Sequence, residues 1–235
     1  MHTRLVIRRF HAVPPDALHL SLMLALTFST GIVDAVGYLG LDRVFTGNMT
    51  GNVVILGMAL VGGDDLPVLG PALALAGFMA GAALAGRVLR NAPGGWCHRS
   101  TVLLGAVAAL MLGLGVLVFV FGEDVPRPSG ITVTTLLGAA MGVQAATARF
   151  FAVKDVTTVV VTSTITGLAA DSVLGSGKGG GSARRVAAVV LILVGAAAGA
   201  LLLSWHLGGG LIVAGLVVAA VTVIGGTHQP VTPAR

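Results

Sequence analysis

The chain has 235 residues, of which 55% are hydrophobic, 35 are glycine and 10% are charged. A soluble domain of this size carries about 25% charged residues, because its surface has to be covered by polar groups. This composition and the mean hydropathy of +0.97 exclude a soluble domain, a disordered chain and a disulfide scaffold, and they indicate a multi-span membrane protein. The net charge of +5 does not indicate a nucleic-acid partner, because the basic residues lie in short loops where they suit an anionic lipid surface.

The stretches free of Asp, Glu, Lys and Arg predict the membrane segments, since a spanning helix needs about 20 mostly apolar residues. In chain order they are 17–33, 44–63, 66–86, 100–122, 128–148, 156–170 and 186–234. The last run breaks at the polar and glycine-rich stretch 204–210, which leaves helices at about 186–204 and 210–226. Eight apolar segments result.

Two of these segments, 44–63 and 156–175, differ from the others because they are rich in threonine and glycine. Both residue types are poor helix formers. We therefore expect these segments to be broken or re-entrant, with protein or a cavity satisfying their backbone polar groups.

The distribution of lysine and arginine favours this interpretation, because cytoplasmic loops are enriched in both. If all eight segments crossed from a cytoplasmic N-terminus, 8 of the 14 basic residues would be cytoplasmic. If the two atypical segments enter and leave on one side, 12 of the 14 are cytoplasmic and only Arg43 and Arg127 are external. We therefore predict an all-α transmembrane bundle of six full spans plus two broken or re-entrant segments. A seven- or eight-helix bundle is the alternative.

Three landmarks recur in the same order and predict an internal repeat. The sequence Gly-Ile-Val-Asp-Ala at 31–35 is answered by Gly-Val-Gln-Ala-Ala at 142–146, Thr50-Gly51 by Thr166-Gly167, and Gly77/Gly81 by Gly195/Gly199. With three crossings in each unit, repeat one (17–122) and repeat two (128–226) would be inverted, a recurrent transporter design. Within this division, 17–226 forms a single transmembrane domain between a cytoplasmic N-terminal segment, 1–16, and a cytoplasmic tail, 227–235.

The Gly-x-x-x-Gly pairs, Gly77/Gly81, Gly138/Gly142 and Gly195/Gly199, predict close helix contacts, because small residues let two backbones approach. The same faces could serve to join two copies of the chain in a homo-oligomer. Lone Cys97 cannot form an internal disulfide.

The strongest local signal for a site is the polar stretch 46–52 inside an apolar segment. An asparagine amide both donates and accepts hydrogen bonds, and glycine lets the backbone approach a ligand closely. We expect Asn48, Thr50, Gly51 and Asn52 to contact a small polar substrate. The alternative is that these residues serve only helix packing and interhelical hydrogen bonding.

Asp34 lies inside the first span, where a charge is costly and by default marks function. We expect it to bind a substrate cation, a coupling ion or a proton; the alternative is a structural carboxylate that accepts hydrogen bonds from Thr50 or Asn52. Asp171, late in the second atypical segment, is a weaker candidate for the same role. The expected contribution of the second repeat to the substrate site comes from Gln144, Thr164, Thr166 and Gly167, with Thr162 and Ser163 as further candidates. Tyr38 is typical of an interfacial aromatic anchor.

The chain resembles the YoaK-like DUF1275 family. The resemblance is carried by the stretch 45–52, which contains Met-Thr-Gly-Asn at 49–52, and by the segments 31–35, 142–146 and 164–167. It implies a bacterial integral membrane protein of about six spans, in a family regarded as candidate small-molecule transporters. Leu168 stands where the family often has a polar residue, which implies that the two halves do not supply equivalent ligands.

We therefore expect a secondary transporter of a small molecule in the bacterial inner membrane, with its substrate site between the repeats near the midplane. The expected partners are the substrate and the lipid bilayer; no cofactor, no metal and no enzymatic activity are expected. Two alternatives are a passive channel built from two re-entrant segments and a non-catalytic membrane assembly protein.

Overall fold

The computed structural model describes residues 15–63, 65–121, 127–151, 161–177 and 181–228, and within these ranges the secondary structure is entirely helical. The helices are α1 (Pro15–Gly40), α2 (Met49–Leu60), α3 (Leu69–Leu89), α4 (His98–Phe121), α5 (Arg127–Phe151), α6 (Val161–Ala170), α7 (Ser182–Leu203) and α8 (Leu207–Thr227). The predicted all-α fold is confirmed. Most of the predicted N-terminal segment 1–16 and of the tail 227–235 lies outside the described residues.

Six of the described helices, α1, α3, α4, α5, α7 and α8, are long and apolar enough to cross a membrane. The other two, α2 and α6, have 12 and 10 residues. At 1.5 Å per residue they are about 18 Å and about 15 Å long, roughly half the 30 Å of a bilayer core. The prediction of six spans and two shorter segments is confirmed, and the helical part of 44–63 is shorter than the apolar run.

Helix directions follow from contacts one turn apart. Gly195 on α7 lies against Phe28 on α1, and Gly199 lies one turn further along, against Ile32, so α1 and α7 are parallel. Gly138 and Gly142 on α5 lie in the same way against Ala74 and Phe78, so α3 and α5 are parallel. By contrast, α4 and α8 are antiparallel: Gly208 packs on Phe119, whereas the later Gly215 packs on Leu112.

These directions decide whether the short helices cross, because successive spanning helices alternate in direction. The antiparallel α4 and α8 must be separated by an even number of crossings; α5 and α7 supply two, so α6 does not cross. The parallel α1 and α7 must be separated by an odd number; α3, α4 and α5 supply three, so α2 does not cross either. Within the described residues, these directions agree with six crossings and not with seven or eight.

The helix contacts of the two halves correspond. α1 packs along α7 as α5 packs along α3, α1 contacts α8 as α5 contacts α4, and α2 lies on α3 as α6 lies on α7. The remaining large contact, between α4 and α8, joins helices at matching places in the two halves. If each helix of α1–α4 is exchanged with its counterpart in α5–α8, the same pairs of helices are therefore in contact.

The halves are joined at two places where a pair of helices cross each other closely at glycines. These glycine crossings pair Gly31 with Gly195 and Gly142 with Gly81. At each crossing, the glycine of one helix packs on the backbone carbonyl three residues before the glycine of the other. Those carbonyls belong to Ile192 and Phe28 at the first crossing and to Phe78 and Ala139 at the second. In the packing of the two halves, Gly81 therefore corresponds to Gly195. The sequence repeat instead pairs Gly77 with Gly195, and Gly77 lies one helical turn before Gly81.

The Gly-x-x-x-Gly faces are used inside one chain. A Cβ added at Gly77 would meet the carbonyl oxygen of Thr135 at 2.5 Å, and one at Gly138 would meet that of Ala74 at 2.6 Å. These faces are therefore covered by neighbouring helices, as the close-contact interpretation predicts.

One end of the bundle is closed by aromatic side chains. Trp96, in the loop before α4, is buried and stacks on Phe151 with ring centroids 4.6 Å apart. Its Nε1 donates a hydrogen bond to Thr101 Oγ1 at 2.9 Å, and the ring of His19 stacks beside it. Asp34 lies about 22 Å further along α1 than His19, at 1.5 Å per residue. The candidate site therefore lies toward the other end of the molecule.

Candidate functional site

Asp34 fixes the start of α2 to the first span. Its Oδ1 accepts hydrogen bonds from the backbone N–H groups of Thr46 (2.9 Å), Gly47 (2.7 Å) and Asn48 (3.3 Å). The Thr46 hydroxyl also lies 3.4 Å from the same oxygen. Thr46 and Gly47 are buried, so their N–H groups need an acceptor within the protein. Asp34 on α1 supplies this acceptor and so holds the backbone that leads into α2.

The path of the chain between α1 and α2 explains this contact. Asp42 and Arg43 adopt left-handed backbone conformations (φ 60° and 56°), which turn the chain back after α1. Gly37 then allows the backbone of Val44 to pack closely against α1, because a Cβ there would lie 2.6 Å from the Val44 carbonyl oxygen. Residues 44–48 consequently run back along α1 to the depth of Asp34.

Asn48 and Asn52 complete the start of α2 in different ways. Asn48 is the N-cap, with Oδ1 accepting from Gly51 N–H at 3.3 Å, in accord with the usual preference for asparagine at this position. Asn52 is 1% exposed; its Oδ1 accepts from Phe45 N–H at 2.9 Å, and its Nδ2 donates to the Phe45 carbonyl. Asn52 thus closes the loop 45–52 by pairing with backbone.

A cavity of about 830 Å³ opens beside this junction. Its polar wall contains Thr30 and Asp34 of α1, Asn48 and Thr50 of α2, and Thr162 of α6. The apolar and aromatic part of the lining consists of Tyr38, Phe45, Met49, Val54, Ile55, Phe78, Val161 and Ile192, with Gly47 and Gly51 contributing backbone. This size and mixture of surfaces is typical of a small-molecule site.

The cavity brings the two halves of the chain together. The first two residues of α6, Val161 and Thr162, line the same space as Asn48 and Thr50 at the start of α2. Phe78 and Ile192, which occupy matching places at the two glycine crossings, also face it. Among the described residues, the first turns of both short helices therefore line one cavity.

The structure places only part of the predicted site in this lining. Five predicted residues line the cavity: Asp34, Asn48, Thr50, Gly51 and Thr162. The other predicted members do not: they are Asn52, Gln144, Ser163, Thr164, Thr166, Gly167 and Asp171. Asp34 is also not held by Thr50 or Asn52, as the structural alternative supposed, but by backbone N–H groups.

Gln144 lies next to the cavity rather than in its wall. The side chain is fully buried, and its Nε2 donates to the hydroxyl of Thr30 at 3.2 Å, which joins α5 to α1. Within the described part of the chain its Oε1 accepts no hydrogen bond. A buried acceptor oxygen that has no hydrogen-bond donor lowers the stability of the folded protein.

Asp171 has a structural contact of its own. Its Oδ2 lies 2.7 Å from Nη1 of Arg185, which also donates to the Gly167 carbonyl at 2.8 Å. This pair joins the end of α6 to the first turn of α7. Asp171 is therefore an anchor of α6, away from the cavity that Asp34 lines.

Several lining residues were not predicted from the sequence. Tyr38, expected as an interfacial anchor, faces the cavity and stacks on Phe45 with ring centroids 4.7 Å apart. Thr30 could have been found from its spacing, because it lies one helical turn before Asp34 on the same face. Phe78 and Ile192 carry no polar signal, so only the fold brings them here.

Comparison with known proteins identifies the family. The model of the family described as "Protein of unknown function (DUF1275)" matches residues 22–224. The chain is 32% identical over 152 residues to the UPF0700 transmembrane protein YoaK of Bacillus subtilis (strain 168), an alignment that covers 64% of this chain and 66% of that protein. The matched region thus spans just under two thirds of that relative. No solved structure matches the chain.

Proposed function

The chain belongs to the DUF1275 family of multi-span membrane proteins, and from this premise we propose that it is a secondary transporter of a small molecule in the bacterial inner membrane. The cavity at Asp34 is its substrate site. The observation that carries the proposal is the shared lining of this cavity by the first turns of α2 and α6. Broken elements that meet at the interface of two repeats are the usual substrate site of such transporters.

The corresponding helix contacts support inverted repeats as the basis of the transport cycle. With three spans in each half, matching helices would run in opposite directions across the membrane, and the two glycine crossings have the same geometry. In a carrier of this kind, one half moves against the other around a fixed site. The cavity would then open to each side of the membrane in turn.

Cysteine labelling tests this proposal, because Cys97 is the one cysteine in the sequence. In a Cys97→Ser background, Thr50→Cys and Thr162→Cys place single thiols in the cavity wall. A carrier predicts that a membrane-impermeant thiol reagent modifies both positions from either side, in right-side-out and inside-out vesicles. Thr166→Cys, exposed on α6 and outside the cavity lining, is the control and should react from one side only. Modification of the two cavity positions from one side alone would contradict alternating access.

A passive channel is the second candidate function. The meeting of two short helices by their N-terminal turns at one cavity is also the arrangement expected for re-entrant segments of a channel. A channel predicts flux that does not saturate with solute concentration, whereas a carrier predicts saturation. Flux measured in proteoliposomes over a wide concentration range separates the two.

A further inference from the structure

We propose that the ligand of this cavity is an organic cation, an amine whose ammonium group binds Asp34 and whose apolar body contacts the hydrophobic walls. The inference rests on the proposed function for the place of the site, and it adds the chemical class of the substrate. It is carried by the hydrogen bonding of Asp34, by the acceptors around it and by the aromatic side chains beside it.

The two oxygens of Asp34 have different tasks. Oδ1 receives every hydrogen bond that the described residues make to this side chain. The carboxylate nevertheless lines the cavity, which leaves Oδ2 to a ligand. A carboxylate inside a membrane protein pairs with an opposite charge or a proton donor, because an isolated charge is costly there.

The hydrogen bonds of Thr30 leave it no free donor next to Asp34 on the α1 wall. The Thr30 hydroxyl lines the cavity, donates to the Leu26 carbonyl and accepts from Gln144 Nε2. Gln144 Oε1 is buried behind this wall, does not line the cavity and accepts no hydrogen bond from the described residues. A ligand beside Asp34 and Thr30 therefore meets acceptors, and an ammonium group carries three N–H donors and no acceptor.

The remaining walls suit the body of an amine. The stacked rings of Tyr38 and Phe45 lie beside Asp34, and Phe78, Val54 and Ile192 add apolar surface. Aromatic faces attract cations, and more strongly where water is excluded. A single carboxylate next to an aromatic pair thus favours a cation that has an apolar substituent over a small inorganic ion.

A series of isosteric probes tests the charge class on the purified full-length protein. 2-Phenylethylammonium, 2-phenylethanol and phenylacetate have the same aromatic body and differ in the charge of the end group. Ligand affinity is read from the rise in unfolding temperature with probe concentration, because a ligand that binds only the folded state stabilises it. We expect the ammonium compound to bind at least about tenfold more tightly than the alcohol or the acid.

Asp34→Asn separates the charge of the side chain from its role as an acceptor. The amide oxygen of asparagine can still accept from the N–H groups of residues 46–48, whereas the negative charge is lost. We expect the affinity for 2-phenylethylammonium to fall at least about 30-fold in this variant, with little change for the alcohol. Asp65→Asn, which removes an exposed carboxylate from the loop before α3, is the matched control and should leave both affinities unchanged.

The inference is overturned if the alcohol or the acid binds as tightly as the amine, or if no probe binds. It is also overturned if phenylalanine, which adds a carboxylate, binds more tightly than the amine, because the ligand would then be a zwitterion held at both ends. These results come from the wild-type protein and do not depend on the folding of a variant. Binding of the amine without two-sided labelling of the cavity would instead sustain this inference and refute the transporter.

Discussion

The two short helices occupy corresponding places, and the hydrogen bonds described for them differ. α2 is fixed at its N-terminus, where Asp34 accepts from three backbone N–H groups and Asn52 pairs with Phe45. Among the described residues, α6 is fixed at its C-terminus, where Arg185 holds the Gly167 carbonyl and Asp171. The long helices of the two halves pack alike, so the asymmetry lies in the short elements. The anchor of α2 therefore borders the cavity, whereas the anchor of α6 lies away from it.

If the long helices of the two halves pack in the same way, substitutions at corresponding positions should lower the stability of the protein by equal amounts. Gly81→Ala and Gly195→Ala each place a methyl group against a backbone carbonyl of the partner helix, and we expect each to lower the free energy of unfolding by about 3 kcal/mol. Unfolding in a detergent titration measures both. Gly86→Ala, on α3 with open space around the added Cβ, is the control and should be neutral or stabilising by up to about 1 kcal/mol. A large effect at only one of the two crossings would break the correspondence.

At the anchor of α2, removing the acceptor should be costly. Asp34→Ala leaves three N–H groups of residues 46–48 without their acceptor, and we expect a loss of about 2 kcal/mol in the free energy of unfolding. Asp34→Asn keeps an acceptor oxygen and should lose less than half of that. Thermal unfolding of the two variants beside the wild type measures the difference. Equal losses would show that the charge, and not the acceptor, stabilises the junction.

Asn52→Ala tests the second contact of the same anchor. It removes both hydrogen bonds to the Phe45 backbone and leaves the partly buried N–H and carbonyl of Phe45 unpaired. We expect a loss of about 1.5 kcal/mol, together with increased protease sensitivity in the loop 41–48. Asn48→Ala, which removes a more exposed cap, is the comparison and should cost about 1 kcal/mol or less. An unchanged cleavage rate in Asn52→Ala would contradict the role assigned to this side chain.

The smallest effect is expected at the anchor of α6. The Asp171 carboxylate is 37% exposed and Arg185 is 15% exposed, and partly solvated ion pairs contribute less than about 1 kcal/mol. Asp171→Asn should therefore lower the unfolding temperature only slightly, by an amount that shrinks as salt is added. An effect as large as that of Asp34→Ala would remove the difference between the two short helices.

The spans could be predicted from the sequence because membrane thickness and charge act over about 20 residues at once. The same averaging explains why the predicted ends of the spans differ from the observed helix ends. The charge-free run at 186–234 excludes Arg184 and Arg185, whereas α7 begins at Ser182, since arginine is tolerated in a helix that emerges from the membrane. The number of crossings could be predicted from the distribution of lysine and arginine over all the loops, and the packing directions agree with it.

The site was predicted where a side chain carries the chemistry and missed where the backbone does. Asp34 stood out as a charge in a span, but its partners are N–H groups of residues 46–48, which every residue other than proline possesses. In the second half, the threonine-rich run gives no sign of where α6 begins. The polar residues of this run from Thr162 to Thr166 were therefore all candidates, and of these only Thr162 lines the cavity.

The pairing of α1 with α7 and α8 sets the order in which the protein can be completed during synthesis. The first span enters the bilayer long before its two main partners have been translated. Until then its polar face, which includes Ser29 and Thr30 and is buried in the complete fold, contacts lipid or the insertion machinery. α5 closes on α3 soon after it is made, whereas α1 is sealed only by the last two helices. A ribosome that stalls before α7 should therefore leave α1 exposed to membrane quality-control proteases.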